Sequence, residues 1–256
     1  MPRLPRLPVA ALLLVACMAS VSAWADGLAD LKAALARYPA SGPINAQAEV
    51  KTHKRDGDEK DVDEKNGQAG LILEESPTGL RLQYSKETLT KLAADEQTAA
   101  KDAKAKTPTL SALGALNITE LRQLSNAVPV LQRQLDIAVF KTEKNDSWNN
   151  TPARLLSFDY GVNSLAERDR KYVKKYEGSL DIWIAADGTP LASRVKQSAS
   201  GSAYVIISFD MKNQEDIVFN PVGDRLTMAR KESANQGSGA GQRGESRTVR
   251  TLQVLH

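Results

Sequence analysis

The sequence predicts an α+β protein: one large, curved antiparallel sheet, with helices covering its apolar face. Three observations predict it. Stretches of alternating apolar and polar residues occur in two blocks, one before residue 85 and one after residue 136, and period two is the mark of half-buried strands. Between the blocks lies a stretch of helical composition. The second block holds about seven strand-length stretches in succession, and a sheet that long curls or closes instead of staying flat.

Residues 1–25 have the three parts of a secretion signal. Arg3 and Arg6 supply its positive start, residues 8–15 (PVAALLLV) begin an apolar run, and Ala23-Trp24-Ala25 fits signal peptidase, with Asp26 as the new N-terminus. The expected organisation is a signal peptide at 1–25 and a single domain at 26–256 built on this sheet, with a helical insertion at about 86–135. Leu14-Val15-Ala16-Cys17 also matches a lipobox, which by lipidation of Cys17 would anchor the chain to a membrane. The expected location is therefore periplasmic, the alternative a membrane-anchored lipoprotein, with membrane association only if Cys17 is lipidated. Cys17 is the sole cysteine, so a processed domain has no internal disulfide and no cysteine metal cluster. Removing 1–25 takes away two of the 34 basic residues and none of the 31 acidic ones, leaving a net charge of +1. A nucleic-acid binder would show a concentrated basic patch with aromatic stackers. Lys171, Lys174 and Lys175 cluster, but Glu167, Asp169 and Glu177 are interleaved, which reads as a solvated face. No nucleic-acid partner is expected.

The elements follow in order. Leu28, Leu31, Leu35 and Tyr38 have helical spacing, ended by Pro39 and Gly42-Pro43. Ile44, Ala46, Ala48 and Val50 then alternate as a strand, and 55–65 (RDGDEKDVDEK) is charged enough to read as a hairpin loop. Strands at 68–75 and 80–84 flank the turn residues Ser76-Pro77-Thr78-Gly79. Residues 88–106 read as a helix with a thin apolar stripe of Leu89, Leu92 and Ala93. Asn117-Ile118-Thr119-Glu120 has the form of a capping box, with Asn117 capping the backbone and Glu120 reaching back. The helix it starts carries Ile118, Leu121, Leu124 and Val128 on one face, and Pro129 kinks or restarts it. Strands at 137–144 and 153–160 form a hairpin around 145–152. Strands at 176–186 and 190–198 form another around Asp187-Gly188, a hairpin turn signal. Further strands are expected at 203–212, 216–219, 225–232 and 247–255, with the Gly/Ser-rich 233–244 as a flexible loop.

Chemistry-bearing residues are sparse. His53 and His256 are the only histidines. One ends a strand beside the charged loop and the other is the last residue, so neither an imidazole triad nor a zinc constellation is expected. The carboxylates Asp56, Asp58, Glu59, Asp61, Asp63 and Glu64 are neutralised by interleaved bases, and Lys60 stands where a calcium loop needs an oxygen ligand. The run 237–244 (GSGAGQRG) lacks the Lys-Ser/Thr and the helix of a phosphate loop. An aromatic content of 5% argues against a carboxylate pair in a sugar cleft. No catalytic residue, metal or cofactor is expected.

What remains is an apolar face. Leu71, Leu73, Leu82, Tyr84, Leu180, Ile182, Ile184, Val205, Ile207 and Phe209 alternate with polar or small residues on strands that should be neighbours. This face is either an ordinary core capped by the helices or the lining of a cavity for an acyl chain. Burial of a methylene is worth ~0.8 kcal/mol, so a long alkyl chain needs no catalytic group to be held.

Two stretches resemble a known family. Residues 31–38 (LKAALARY) followed by the strand at 44–54, with 67–84 (GQAGLILEESPTGLRLQY), are similar to the opening helix and first three strands of the periplasmic lipoprotein carriers and outer-membrane lipoprotein receptors, the LolA/LolB-like family. Residues 180–213, with Asp187-Gly188-Thr189 and Ser202-x-Tyr204, resemble it again. Together they cover about a third of the chain after residue 25. The sequence departs from the family where a DG…WxY edge segment is replaced by the Ala/Lys-rich helix, and only Trp148 and Trp183 remain beyond the signal. No functional residue is carried over. The resemblance implies the half-barrel fold and a non-enzymatic carrier of lipid or lipid-modified ligands. The alternative is an interaction protein with a closed core, docking onto another cell-envelope protein.

Overall fold

The computed structural model describes residues 26–58, 61–76, 78–203 and 207–255. Residues 1–25, where the signal peptide and Cys17 are expected to act, lie outside the described residues, as do His256 and Val205. No helix of the described residues is long and apolar enough to cross a membrane.

The fold is α+β. Helix α1 (Gly27–Leu35) precedes β1 (Ile44–Gly57), β2 (Val62–Ser76) and β3 (Gly79–Gln83). Helices α2 (Lys86–Lys101), α3 (Pro108–Gly114), α4 (Ile118–Ser125) and α5 (Val128–Ile137) follow. Then come β4 (Val139–Trp148), β5 (Thr151–Tyr160), the short α6 (Glu167–Arg170), β6 (Val173–Ile184), β7 (Pro190–Ala203), β8 (Ile207–Val222), β9 (Arg225–Gly239) and β10 (Gln242–Val254). All ten strands form one open antiparallel sheet in the order β3-β2-β1-β10-β9-β8-β7-β6-β5-β4. Only the β1–β10 pairing is out of sequence, joining the two blocks predicted from the sequence.

Local chemistry sets the boundaries. Asp26 caps α1 through Leu28 N and Ala29 N, and Ser85 caps α2 through Thr88 N. Asn117 caps α4 through Glu120 N at 3.0 Å. Glu120 does not reach back as the capping-box pattern predicts, because its carboxylate has stronger partners in Lys231 and Arg250. Pro129 stands in the first turn of α5 and separates it from α4. Gly188, at φ +83°, makes the β6–β7 turn; a Cβ there would overlap the carbonyl oxygen of Asp30.

Several expectations are corrected. The strands reach well into the charged 55–65 stretch, where Asp56 faces Asp63 across a ribbon. A tight turn at Asn149 and Asn150, both at positive φ, replaces the 145–152 loop. Strands expected at 203–212 and 216–219 are one strand, β8, irregular only between Val218 and Phe219. Residues 233–239 and 242–244 are paired strand, not loop, with the turn at Ala240 and Gly241. Lying between partners, these Gly, Ser and Asn residues are held by ladder hydrogen bonds that outweigh weak strand propensity. Helix α3 lacks a sequence signal long enough to be read. Ile118 is exposed, whereas Leu121, Leu124 and Val128 are buried.

One core lies between the sheet and the helices. Leu31 and Leu35 of α1, Ala112 of α3, Leu121 and Leu124 of α4, and Leu131 of α5 pack with Ala46, Val50, Leu156, Phe158, Ile217 and Met228 of the sheet. Trp183 points to the opposite face, with Trp148, Leu155 and Ala192. Helix α2 has no buried residue.

Candidate functional site

Register decides which predicted face residues come together. Leu73 faces Leu82 across β2 and β3, and Leu71 and Leu73 face Ala48 and Ala46 of β1. Phe158 faces Leu180, Leu156 faces Ile182, and Ile182 faces Ser193. Leu71, Leu73, Leu180, Ile182 and Ile184 are all buried in the core under the helices, with Leu82 and Tyr84 half-buried at its margin. Ile207 begins β8, and Phe209 is half-buried further along the same sheet face. The predicted set is thus divided: most members are covered, while Phe209 is not part of that core.

The division follows a line of charges. Lys231 Nζ, almost fully buried, lies 3.2 Å from Glu120 of α4 and 3.3 Å from Glu215 of β8. Arg250 donates to the carbonyl oxygen of Ala115 at 2.8 Å. On the other side of the cover, Arg225 pairs with Glu75 at 2.9 Å, and Ser125 at the end of α4 donates to the same carboxylate. Helix α4 is therefore pinned at both ends by groups that are costly to separate, since a buried charge that loses its partner stays desolvated.

Beyond Lys231 the same sheet face continues past helices α1–α5, flanked only by the short α6 and its approach. A groove of about 290 Å³ opens there, lined by Tyr172, Val173 and Tyr176 of the β6 strand and its approach, Ala199 of β7, and Phe209 and Met211 of β8. Alternation explains the set: Ala199 faces Tyr176 and Met211, and Gly201 faces Val173 and Phe209. Gly178 is required here, because a Cβ would lie 2.8 Å from the Tyr176 hydroxyl. That hydroxyl shares a hydrogen bond with Ser164 Oγ (2.9 Å) and accepts one from Gln197 Nε2 (3.0 Å). Burial pushes the pKa of neighbouring Tyr160 upward, so it stays a neutral phenol. The Tyr172 carbonyl accepts from Ser202 N at 3.0 Å, fixing the groove's outer wall to β7. Met211 is 46% exposed, unusual for so apolar a side chain on a sheet face.

Sequence reading found Phe209 but missed Tyr172, Tyr176 and Met211. The tyrosines sit among lysines and glutamates, and Met211 stands between Asp210 and Lys212. Met211 lies two residues from Phe209 within the strand expected at 203–212, so strand parity was the signal that could have found it.

His53 lies on the exposed β1–β2 ribbon, its Nδ1 2.7 Å from Asn66 Oδ1 and 3.5 Å from Glu64. Among the described residues no group of three or more His, Asp or Glu side chains converges as a metal site.

No family model matches the chain, and no curated protein matches it. Among solved structures it is similar to a LolA superfamily protein from Nitrosomonas europaea, at 8% identity and a TM-score of 0.29 over 90% of this chain and 94% of that one. No residue is transferred from it.

Proposed function

We propose that the protein is a non-enzymatic periplasmic binding or carrier protein for lipid or lipid-modified ligands, and that the acyl chain enters at the end of the apolar sheet face that α1–α5 leave uncovered. The observation that carries this is the groove: Tyr172, Tyr176, Phe209 and Met211 continue the face of the buried core, yet the first three are only half-buried and Met211 is exposed. At about 290 Å³ it sits at the lower end of the ~300–1,000 Å³ typical of small-molecule sites, fitting one alkyl chain better than a compact ligand. In this reading Leu71, Leu73, Leu82, Tyr84, Leu180, Ile182 and Ile184 form the apolar interior against which the chain's end abuts. Phe209 belongs to the entrance.

Native mass spectrometry of the purified protein, with titration of the uncharged dye N-phenylnaphthylamine, tests this. Co-purified lipid and a fluorescence rise are expected. Met211→Asp should abolish the rise without lowering the melting temperature, because a carboxylate is costly to desolvate against an alkyl chain. A wild-type protein with neither lipid nor dye response would overturn the proposal.

A second reading, an interaction protein docking on another envelope protein, is favoured by the edge strand β4. Val139 is 68% exposed there beside the exposed Phe140, and an open strand edge is a template for pairing. A Val139→Lys variant that loses co-purified protein partners, in a protein that binds no dye, would favour this reading.

A further inference from the structure

We infer that the groove's polar wall is a recognition site for an uncharged, hydrogen-bonding head group (amide or hydroxyl) carried on the acyl chain. The inference rests on the carrier reading and adds the chemistry of the ligand's other end.

Four polar, uncharged residues stand in one row across four strands. Gln197 of β7 faces Asn213 of β8, Asn213 faces Asn235 of β9, and Asn235 faces Ser246 of β10. Three strand spacings make this row ~14 Å long. It begins at the groove, since Gln197 and Asn213 line it, and it runs beside the parallel row Ala199, Met211, Gly237 and Gly244. Gln197 donates to Tyr176, and Asn235 Nδ2 donates to Ser246 Oγ at 3.2 Å. The half-buried Asn213 amide makes no side-chain hydrogen bond to the protein among the described residues. Its donors and acceptor lie between the two bonded pairs.

The row's neutrality is unusual for a surface. Along this face, from Gln197 to Gly201, Phe209 to Asn213, Asn235 to Gly239 and Gln242 to Ser246, strand parity places no charged side chain; charges stand only at its margins, where Glu215 pairs with Lys231 and Lys54 with Asp56. The opposite face of the same strands carries Lys196, Asp210, Lys212, Arg243, Glu245 and Arg247. A surface facing only water gains from charge, as the opposite face does; one that covers a neutral ligand avoids it, because an unpaired charge would be desolvated. The charged side chain that does line the groove is Asp169 of α6, and it repels an anionic head. Gly237 leaves the floor beside Met211 open: a Cβ there would meet nothing nearer than the Asp210 carbonyl oxygen at 3.8 Å.

The test compares three twelve-carbon probes by calorimetry below their micelle concentrations: dodecyl maltoside, N-lauroylglycinamide and laurate. The wild-type protein should bind at least one neutral-headed probe roughly tenfold more tightly than laurate, the worth of one or two hydrogen bonds. An Asn213→Leu/Asn235→Leu variant should lose that preference while its laurate affinity and melting temperature hold. Preference for the maltoside alone assigns a hydroxyl head, and for the glycinamide alone an amide head. Equal binding of laurate and the neutral probes, or a preference the variant retains, overturns the inference and leaves the carrier reading standing. Binding of none of the three overturns both.

Discussion

Arg225 on β9 and Glu75 on β2 meet at 2.9 Å, although β1 and β10 lie between their strands. In a flat sheet three strand spacings would hold them ~14 Å apart. The sheet curls inward, and the same guanidinium donates to the Gly42 carbonyl oxygen at 2.6 Å while Ser125 closes the cluster from α4. Arg225→Ala should cost ~3 kcal/mol in urea denaturation, because Glu75 is left facing the interior without its cation. Arg225→Met with Glu75→Leu should recover most of it. A loss under ~1 kcal/mol in the single variant would show that the pair does not hold the curl.

How much of this was legible in the sequence depends on what each signal competes with. The Asp187-Gly188 turn, the Asn117 cap and the Pro129 restart are local devices, and the structure keeps them. The period-two pattern of 176–184 was legible because Leu180, Ile182 and Ile184 are buried on one face while Trp183 packs on the other. Residues 233–244 were not, because their strand state comes from partners on both sides and not from their own side chains. The site suffered likewise: Phe209 carries an apolar signal, but Tyr176 is placed by its pairing with Ala199 and oriented by a hydroxyl network with Ser164 and Gln197, residues distant from it in sequence.

Helix α2 should exchange its amide hydrogens faster than β6. It buries no residue, its Leu89 is half exposed, and Asp95 ties it to α3 by accepting from Thr109 N and Leu110 N. Residues 180–184 lie within paired strand in the core. Hydrogen-exchange mass spectrometry should show α2 exchanging by local opening, with 180–184 protected close to the global limit. Equal protection would mean that α2 is integral to the core.

Acid should loosen the α1–β1 connection. Asp187 is held below the ordinary aspartate value of 3.8 by the backbone N–H and hydroxyl of Thr189 and by Arg37. Asp224 is held below it by the Ser41 hydroxyl and by the backbone N–H groups of Gly42 and Ser41. Both carboxylates bind a proton less readily folded than unfolded. Their contribution is therefore fully present above that value and is lost as pH falls through the lowered native values. Melting temperature should decline from about pH 4 downward, and Asp224→Asn should make the decline shallower by removing one titrating group. An unchanged slope in that variant would place the acid sensitivity elsewhere.

The last prediction separates two glycines on one sheet face. Gly201 sits beneath the groove's outer wall: a Cβ there would overlap the Tyr172 carbonyl oxygen and lie 2.9 Å from Phe209 Cζ. The Tyr172 carbonyl is also the acceptor for Ser202 N. Gly201→Ala therefore has to push the wall off β7, breaking that bond and tilting Tyr172 and Phe209 together. Crowding of this kind costs ~1–3 kcal/mol, and dye binding should fall with it because two lining residues move. Gly237, facing Met211 on the neighbouring strand, has open space above it. Gly237→Ala should hold or slightly raise stability, since alanine loses less backbone freedom on folding, and dye binding should change little. If instead both variants leave dye binding intact, the dye is not held between Tyr172 and Phe209. If Gly237→Ala alone weakens it, the chain lies over β9 and not under the Tyr172 wall.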